Sequence, residues 1–123
     1  DVMPALERIA ASRAEILLVR ADGVTESRLR DIMRFAIEHR VVAMGTQTLS
    51  ARVGGAMYYG SNLEDIIDRS ASYVDRILRG AKPADLPVEQ PTRYDLILNL
   101  KTLRAIGITV PPIVLMRATE VIE

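Results

Sequence analysis

The sequence between residues 63 and 100 decides the fold. It reads LEDIIDRSASYVDRIL over 63–78, RGAKPADLPVEQPT over 79–92 and YDLILNL over 94–100. Apolar residues in the first part recur every three or four positions, which predicts a long amphipathic helix with one face in a core and the other in water. Asn62 or Ser61 is its predicted cap, and Gly80 its predicted stop. The third part predicts a buried strand.

The second part contains a proline-rich connector, residues 81–92, which we call the strap. Pro83, Pro87 and Pro91 each remove a backbone donor and bias the residue before them toward extended geometry. A long ordered connector of this kind is usually a crossing between substructures or a functional strap, and we favour the crossing. Gly54 and Gly55 form a second predicted crossing.

Helical and strand patterns alternate over the rest of the chain. We expect a helix from a cap at Asp1 to about Ser12, strands over 14–20, 41–45 and 56–60, and a loop over 21–27. A further helix is expected from about Thr25 to His39, one helical turn within 46–53, and a short helix over 101–106. Pro111-Pro112 is expected to open a last apolar turn or helix that runs through Met116. This order predicts an α/β fold with a mostly parallel sheet and flanking helices, residues 1–123 forming a single α/β unit.

Composition narrows the function. The 16 basic and 16 acidic residues cancel and are interspersed, which argues against a nucleic-acid surface or a polybasic membrane anchor. The sequence has no cysteine, so disulfides and thiolate chemistry are excluded. No apolar run approaches the ~20 residues that cross a bilayer. We expect either a cytosolic protein or one whose targeting segment lies upstream of this sequence.

No pattern indicates catalysis, a metal or a cofactor. His39 is the only histidine, so neither a catalytic triad nor a histidine metal site can be assembled around it, and we expect it at a helix C-terminus on the surface. Gly54-Gly55 lacks the further glycine and Lys-Ser/Thr spacing of a phosphate loop. We therefore predict a non-enzymatic protein without a cofactor.

Polar residues follow the predicted parallel strands, where open α/β sheets bind their ligands. The predicted ligand-binding residues are Asp22, Thr25, Thr46, Thr48, Tyr59 and Asn62. Asp22 is equally well explained as a helix cap or loop carboxylate. Tyr59 is better explained by core or hinge packing, with Tyr58 as the alternative aromatic group, because only one of the two can face a cleft.

Several segments resemble the C-terminal part of ABC-transporter substrate-binding proteins of the tryptophan and tyrosine binding-protein types. They are GAMYYG at 55–60, YVDRILRGAKPADLPVEQPT at 73–92, LILNLKT at 96–102, ITVPP at 108–112 and RATEVIE at 117–123. The resemblance implies a two-lobed fold of the type I periplasmic-binding-protein kind, of which this chain is part of the second lobe plus crossings between lobes. Residues 45–53 depart from the aromatic and acidic pattern of many relatives.

The same resemblance implies the function. The intact protein would bind a small solute, such as an amino acid, between its lobes and deliver it to an ABC permease in the periplasm or another extracytoplasmic compartment. Asp22 would then pair with a ligand ammonium, with Thr46, Thr48 and Tyr59 or Tyr58 beside it. The alternative is a freestanding α/β interaction or ligand-sensing domain that forms homodimers through the apolar residues 108–116.

Overall fold

The computed structural model of the chain describes residues 2–123. It confirms the predicted α/β class, and the predicted cap at Asp1 lies outside the described residues. In chain order the elements are α1 (Val2–Ala11), β1 (Ile16–Val19), α2 (Gly23–Ser27), α3 (Leu29–Glu38), β2 (Val42–Gly45), α4 (Thr48–Arg52), β3 (Met57–Ser61), α5 (Leu63–Leu78), β4 (Tyr94–Asn99), α6 (Leu100–Ala105), α7 (Pro112–Leu115) and β5 (Glu120–Ile122).

The strands form one five-stranded sheet in the order β1-β2-β3-β4-β5. β1 pairs with β2, β2 with β3 and β4 with β5, in each case in parallel. Val19 lies opposite Gly45 and Gly45 opposite Tyr58, so the carboxyl ends of the first three strands lie at one edge. The prediction of a mostly parallel sheet with flanking helices is confirmed.

The chain divides into two compact units. One, which we call the sheet unit, comprises Asp1–Gly60 and Asp95–Glu123, and the other, the helix unit, comprises Ser61–Tyr94. The strap lies wholly inside the helix unit, and the chain passes between the two units near residues 60–61 and 94–95. The role of the strap as a crossing between lobes stays a prediction.

Helix α3 supplies much of the core of the sheet unit. Its predicted buried side is confirmed: Ile32, Met33 and Ala36 are buried, and Ile37 is half-buried against a second cluster. In that second cluster, Leu98 of β4 packs with residues of α6 and α7. His39 caps the end of α3 on the surface, and its ring stacks on Phe35 with centroids 4.0 Å apart.

A buried polar cluster ties β4 to the segment after α4. The Asn99 side chain donates to the Ala51 carbonyl over 2.8 Å and accepts from the Thr102 amide, while the Thr102 hydroxyl donates to the Gly54 carbonyl. Every partner lies in the sheet unit. Because an unpaired buried amide is costly, this cluster fixes the path of the chain between α4 and β3.

Gly54-Gly55, which was predicted as a second crossing, packs tightly within this chain. Both residues lie within the sheet unit, and Gly55 is buried with its amide bonded to the Ser50 carbonyl. A Cβ on Gly55 would lie 2.6 Å from that same carbonyl oxygen. The pair is a tightly packed turn, in which Gly54 has the left-handed φ of 114° that glycine tolerates best.

Two further expectations differ from the structure. The helix predicted from about Thr25 to His39 starts earlier, at Gly23, and is divided at Arg28 into α2 and α3. Asp22 and Thr25 make a reciprocal capping box that starts α2. Strand β5 was not predicted, since three residues are too few for an alternating pattern. Contacts with distant residues position β5. The Thr119 hydroxyl accepts from the Leu96 amide and donates to the Leu96 carbonyl, and the Glu120 carboxylate pairs with Arg52 at 2.7 Å.

In the helix unit, α5 has the predicted limits. The Asn62 side chain accepts from the Asp65 amide as its N-cap, and Gly80 follows its end with φ 101°. The prediction that one face of α5 lies in a core is wrong for this chain, because no residue of α5 is buried. The strap contains one 3-10 turn, Pro83–Asp85, and otherwise lacks regular structure.

Candidate functional site

The carboxyl edge of β1, β2 and β3 brings together most of the residues predicted to bind a ligand. Arg20 and Thr46 follow β1 and β2 directly, and Tyr59 lies within β3, next to the Tyr58 that pairs with Gly45. Asp22 and Thr25 follow β1, and Thr48 opens α4 after β2. These residues lie in the sheet unit, whereas Asn62 lies in the helix unit, where its side chain caps α5.

Asp22 acts as the N-cap of α2. Its Oδ1 accepts hydrogen bonds from the amides of Val24 (2.8 Å) and Thr25 (2.9 Å), which confirms the helix-cap interpretation. These two amides, that of Thr25 first, lower the pKa of the Asp22 carboxyl below its ordinary value of 3.8. An exposed carboxylate that stays ionised at neutral pH is available to a cation on the solvent side.

Thr25 and Thr46 stabilise the loop after β1. The Thr25 hydroxyl donates to the Arg20 carbonyl over 2.6 Å and accepts from the Asp22 amide, and the Thr46 hydroxyl accepts from the Ala21 amide at 3.0 Å. Both side chains therefore fix the loop in a defined conformation. Pre-organised loops of this kind are what a binding site at a sheet edge requires.

A side-chain bridge joins the first two loops of this edge. Gln47 donates from Nε2 to Oε1 of Glu26 over 2.7 Å, and both side chains are exposed. Sequence reasoning did not identify either residue, because the bridge spans 21 positions and no local spacing announces it. Thr48, the neighbour of Gln47, is also exposed.

The two tyrosines of β3 have opposite environments. Tyr58 is buried with Ala51 and Ile97, whereas Tyr59 is 54% exposed. Burial, followed by the charge of Asp95, raises the pKa of Tyr58. The expectation that Tyr59 serves core packing is thus wrong, and Tyr58 takes that role. Strand alternation explains the difference, since successive side chains point to opposite faces.

The edge of the sheet unit encloses very little space. The cavity between the loops after β1 and β2 measures about 10 Å³ and is lined by residues such as Arg20, Thr25 and Thr46. Small-molecule sites typically enclose about 300 to 1,000 Å³. This edge can form one wall of such a site and does not surround a solute.

A larger groove, of about 550 Å³, lies within the helix unit between α5 and the strap. Ile66 and Ile77 line it from the helix, and Leu86 and Val88 from the strap. Its polar lining is already bonded: Arg69 contacts Asp65, Glu89 and Thr92, and the Tyr73 hydroxyl donates to the Pro87 carbonyl. These bonds hold the strap against α5 and leave an apolar groove.

No three His, Cys, Asp or Glu side chains in residues 2–123 are placed to hold a metal ion. Within the same range, no helix combines the length and apolar character needed to span a membrane.

Solved structures resemble the chain closely. A conserved domain protein from Vibrio cholerae O1 biovar El Tor is 28% identical and superimposes with a TM-score of 0.83 over 98% of this chain and 40% of its own. The ABC domain from Streptococcus pneumoniae in complex with L-Trp is 25% identical, with a TM-score of 0.78 over 95% of this chain and 42% of its own.

The ligand-free, open structure of CD0873, a substrate-binding protein with adhesive properties from Clostridium difficile, shares the fold. It is 21% identical, with a TM-score of 0.76 over 98% of this chain and 40% of its own. The chain therefore spans about two fifths of the length of these structures. No curated protein sequence gives a significant match.

A sequence model of one family matches nearly the whole chain. The family is described as ABC transporter substrate binding protein, and the match covers residues 1–122. The resemblance noted from the sequence is confirmed. This chain belongs to the ABC transporter substrate-binding protein family.

Proposed function

We propose that this chain is part of the solute-binding component of an ABC uptake transporter, and that the intact protein binds an amino-acid-like solute between two lobes. The single observation that carries the proposal is the family match over residues 1–122. In the proposal, the sheet unit belongs to the second lobe, and the helix unit contains segments that pass between the lobes.

The chemistry at the sheet edge supports an amino-acid-like solute. Asp22 is an exposed carboxylate with a lowered pKa, so it is ionised at neutral pH and suited to an ammonium group. Tyr59 offers an exposed aromatic face, and Thr48 an exposed hydroxyl. The pneumococcal relative was solved with L-Trp, which makes an aromatic amino acid the first solute to test.

The geometry supports binding by two lobes rather than by one. The sheet edge encloses only about 10 Å³, and the chain spans about two fifths of the matched structures. A second wall is therefore supplied by the remaining part of the intact protein. Solute binding would shift the population from open toward closed forms, because some contacts exist only when both walls touch the solute.

The proposed partners follow from the family. The closed protein would dock on an ABC permease, outside the cytoplasm, as substrate-binding proteins of this family typically do. In this proposal, binding and release replace catalysis, and no cofactor takes part.

Isothermal titration calorimetry on the intact protein tests the proposal. A panel of the twenty amino acids, with L-Trp and L-Tyr first, is titrated into the wild type, Asp22→Asn and a matched variant, Asp31→Asn. Asp31 lies in the first turn of α3, where its carboxylate pairs with Arg28 and Arg34. We expect heat for at least one amino acid and a weaker affinity only in Asp22→Asn. Absence of heat with every amino acid would contradict the proposed solute class.

The alternative function, a homodimerising interaction domain, relied on residues 108–116. Three of its apolar side chains, Val110, Val114 and Leu115, pack against the core cluster of Leu98. The apolar side chains that stay exposed are Ile108, Ile113 and Met116. Sedimentation of residues 1–123 at several concentrations separates the two proposals. A concentration-dependent dimer that Met116→Asp abolishes would favour the alternative.

A further inference from the structure

The hydrogen bond between Gln47 and Glu26 connects the loop after β2 to the loop after β1. Gln47 Nε2 lies 2.7 Å from Glu26 Oε1, and the two residues are 21 positions apart in the sequence. A carboxylate only accepts hydrogen bonds, so the amide nitrogen of Gln47 must face it. A charged acceptor makes this bond stronger than one between two neutral groups. The two loops are therefore linked through their side chains.

Both ends of the bridge are fixed by the backbone around them. The Gln47 carbonyl accepts from the buried Ser50, through its amide at 3.1 Å and its hydroxyl at 2.5 Å. The Glu26 amide donates to the Asp22 carbonyl over 2.8 Å, within the capping box that starts α2. Because the backbone is held at both ends, the bridge fixes the distance between the two loops.

Gln47 stands at a position where another residue would serve the local helix better. It is the N-cap residue of α4, with an extended backbone of φ −131° and ψ 150°, and its side chain makes no capping bond. Serine, threonine, aspartate and asparagine cap helices well, whereas the side chain of Gln47 reaches Glu26 instead. Local helix stability therefore does not explain this side chain, and a link between the loops does.

The bridge lies between two of the residues predicted to bind the solute. Asp22 caps α2, the helix that contains Glu26, and Thr48 follows Gln47 directly and opens α4. The Thr46 hydroxyl forms a second link between the same loops, where it accepts from the loop after β1 over 3.0 Å. Two links at different positions along the loops restrict rotation of one loop against the other.

We propose that Glu26 and Gln47 are a positioning pair for solute binding, whose bond holds the Asp22 carboxylate and the Thr48 hydroxyl at the separation that the solute requires. The inference rests on the proposed function, because Asp22 and Thr48 bind a ligand only within it. Neither Glu26 nor Gln47 needs to touch the solute. A site that is ordered before the solute arrives loses less freedom on binding, so breaking the bridge weakens the affinity without unfolding the protein.

Isothermal titration calorimetry of the intact protein, with the twenty amino acids as probes, tests the pair in a double-mutant cycle. The variants are Glu26→Ala, Gln47→Ala, both together, and the swap of Glu26→Gln with Gln47→Glu, which restores a donor opposite a carboxylate. We expect each single change to raise Kd about three- to tenfold, the double change to raise it no further, and the swap to return it to within about twofold of wild type.

The matched control is Glu38→Ala, at the opposite end of the sheet, where α3 leads into β2. It should leave Kd unchanged. Additive losses in Glu26→Ala and Gln47→Ala would mean that each side chain contacts the solute by itself, and would overturn the proposal, as would unchanged Kd values. We expect every variant to keep its Tm within about one degree of wild type, and a fall of several degrees would show a structural role instead.

A second measurement does not depend on the solute. Amide hydrogen exchange at residues 23–27 of the intact protein is compared between wild type, Gln47→Ala and the swap. We expect Gln47→Ala to speed this exchange several-fold and the swap to restore the wild-type rate. Equal exchange in all three proteins would overturn the positioning pair. Coupled exchange without heat from any amino acid would contradict the proposed solute class and leave the link between the loops confirmed.

Discussion

Helices α3 and α5 have the same kind of sequence and opposite environments. Both carry apolar residues every three or four positions, yet α3 buries five side chains in the sheet unit and α5 buries none in the helix unit. Periodicity therefore predicts that a helix forms and which face is apolar. It does not state whether the surface that covers this face belongs to the same stretch of chain.

The largest expected difference between the two helices concerns core truncation. Met33→Ala removes a fully buried side chain of α3 and should cost about 2 to 5 kcal/mol of unfolding free energy. Ile67→Ala, on the exposed face of α5, should change the free energy of unfolding by less than about 0.5 kcal/mol, because Ile67 is 57% exposed. Urea unfolding of residues 1–123 measures both, and similar losses in the two variants would mean that α5 is buried after all.

The next largest expected difference is between two asparagines that stabilise the two units, Asn99 in the sheet unit and Asn62 in the helix unit. Asn99→Ala in the sheet unit leaves the Ala51 carbonyl and the Thr102 amide without their buried partner, at a cost of about 2 to 4 kcal/mol. Asn62→Ala in the helix unit removes a cap, typically worth about 1 kcal/mol. Urea unfolding of the two variants compares their losses of unfolding free energy. A larger loss in Asn62→Ala than in Asn99→Ala would contradict the view that the buried bonds of Asn99 matter more than the cap of α5.

The attachment of the strap to α5 gives a smaller, local effect. Partial burial, followed by the charge of Glu89, raises the pKa of Tyr73, so its hydroxyl remains a donor to the Pro87 carbonyl at neutral pH. Tyr73→Phe should speed amide exchange over residues 86–92 several-fold and leave the sheet unit unchanged. Ser72→Ala, one residue away on the polar face, serves as the control. Unchanged exchange in Tyr73→Phe would show that the bond does not hold the strap.

The smallest expected effect concerns the caps of the two units. The folded pKa of Asp22 is lowered, so the stability that its charge contributes is present at neutral pH and is lost as pH falls through that pKa, below 3.8. Asn62 has no charge, and its cap should not respond to pH. Asp22→Asn should therefore flatten the acid limb of the stability curve. An identical limb in wild type and variant would contradict the lowered pKa.

The sequence predicted the sheet unit better than the site. Residues 41–45 and 94–100 are apolar runs that only a buried strand accommodates, and both strands formed where predicted. Thr25 and Thr46 line one small cavity at the strand ends, and Asp22 bonds the Thr25 amide beside it. Their role in binding a ligand stays a prediction. The Glu26–Gln47 bridge and the Asn99 cluster escaped prediction because their partners are distant in sequence, and local periodicity contains no information about them.

The proposed binding of a solute depends on a second lobe that this chain does not span. The measurement that tests this most directly is small-angle X-ray scattering of the intact protein, with and without the amino acid that gives heat in calorimetry. We expect a smaller radius of gyration when the solute is bound, because the two lobes close on it. An unchanged radius at saturating solute would contradict the two-lobed binding proposed for this family member.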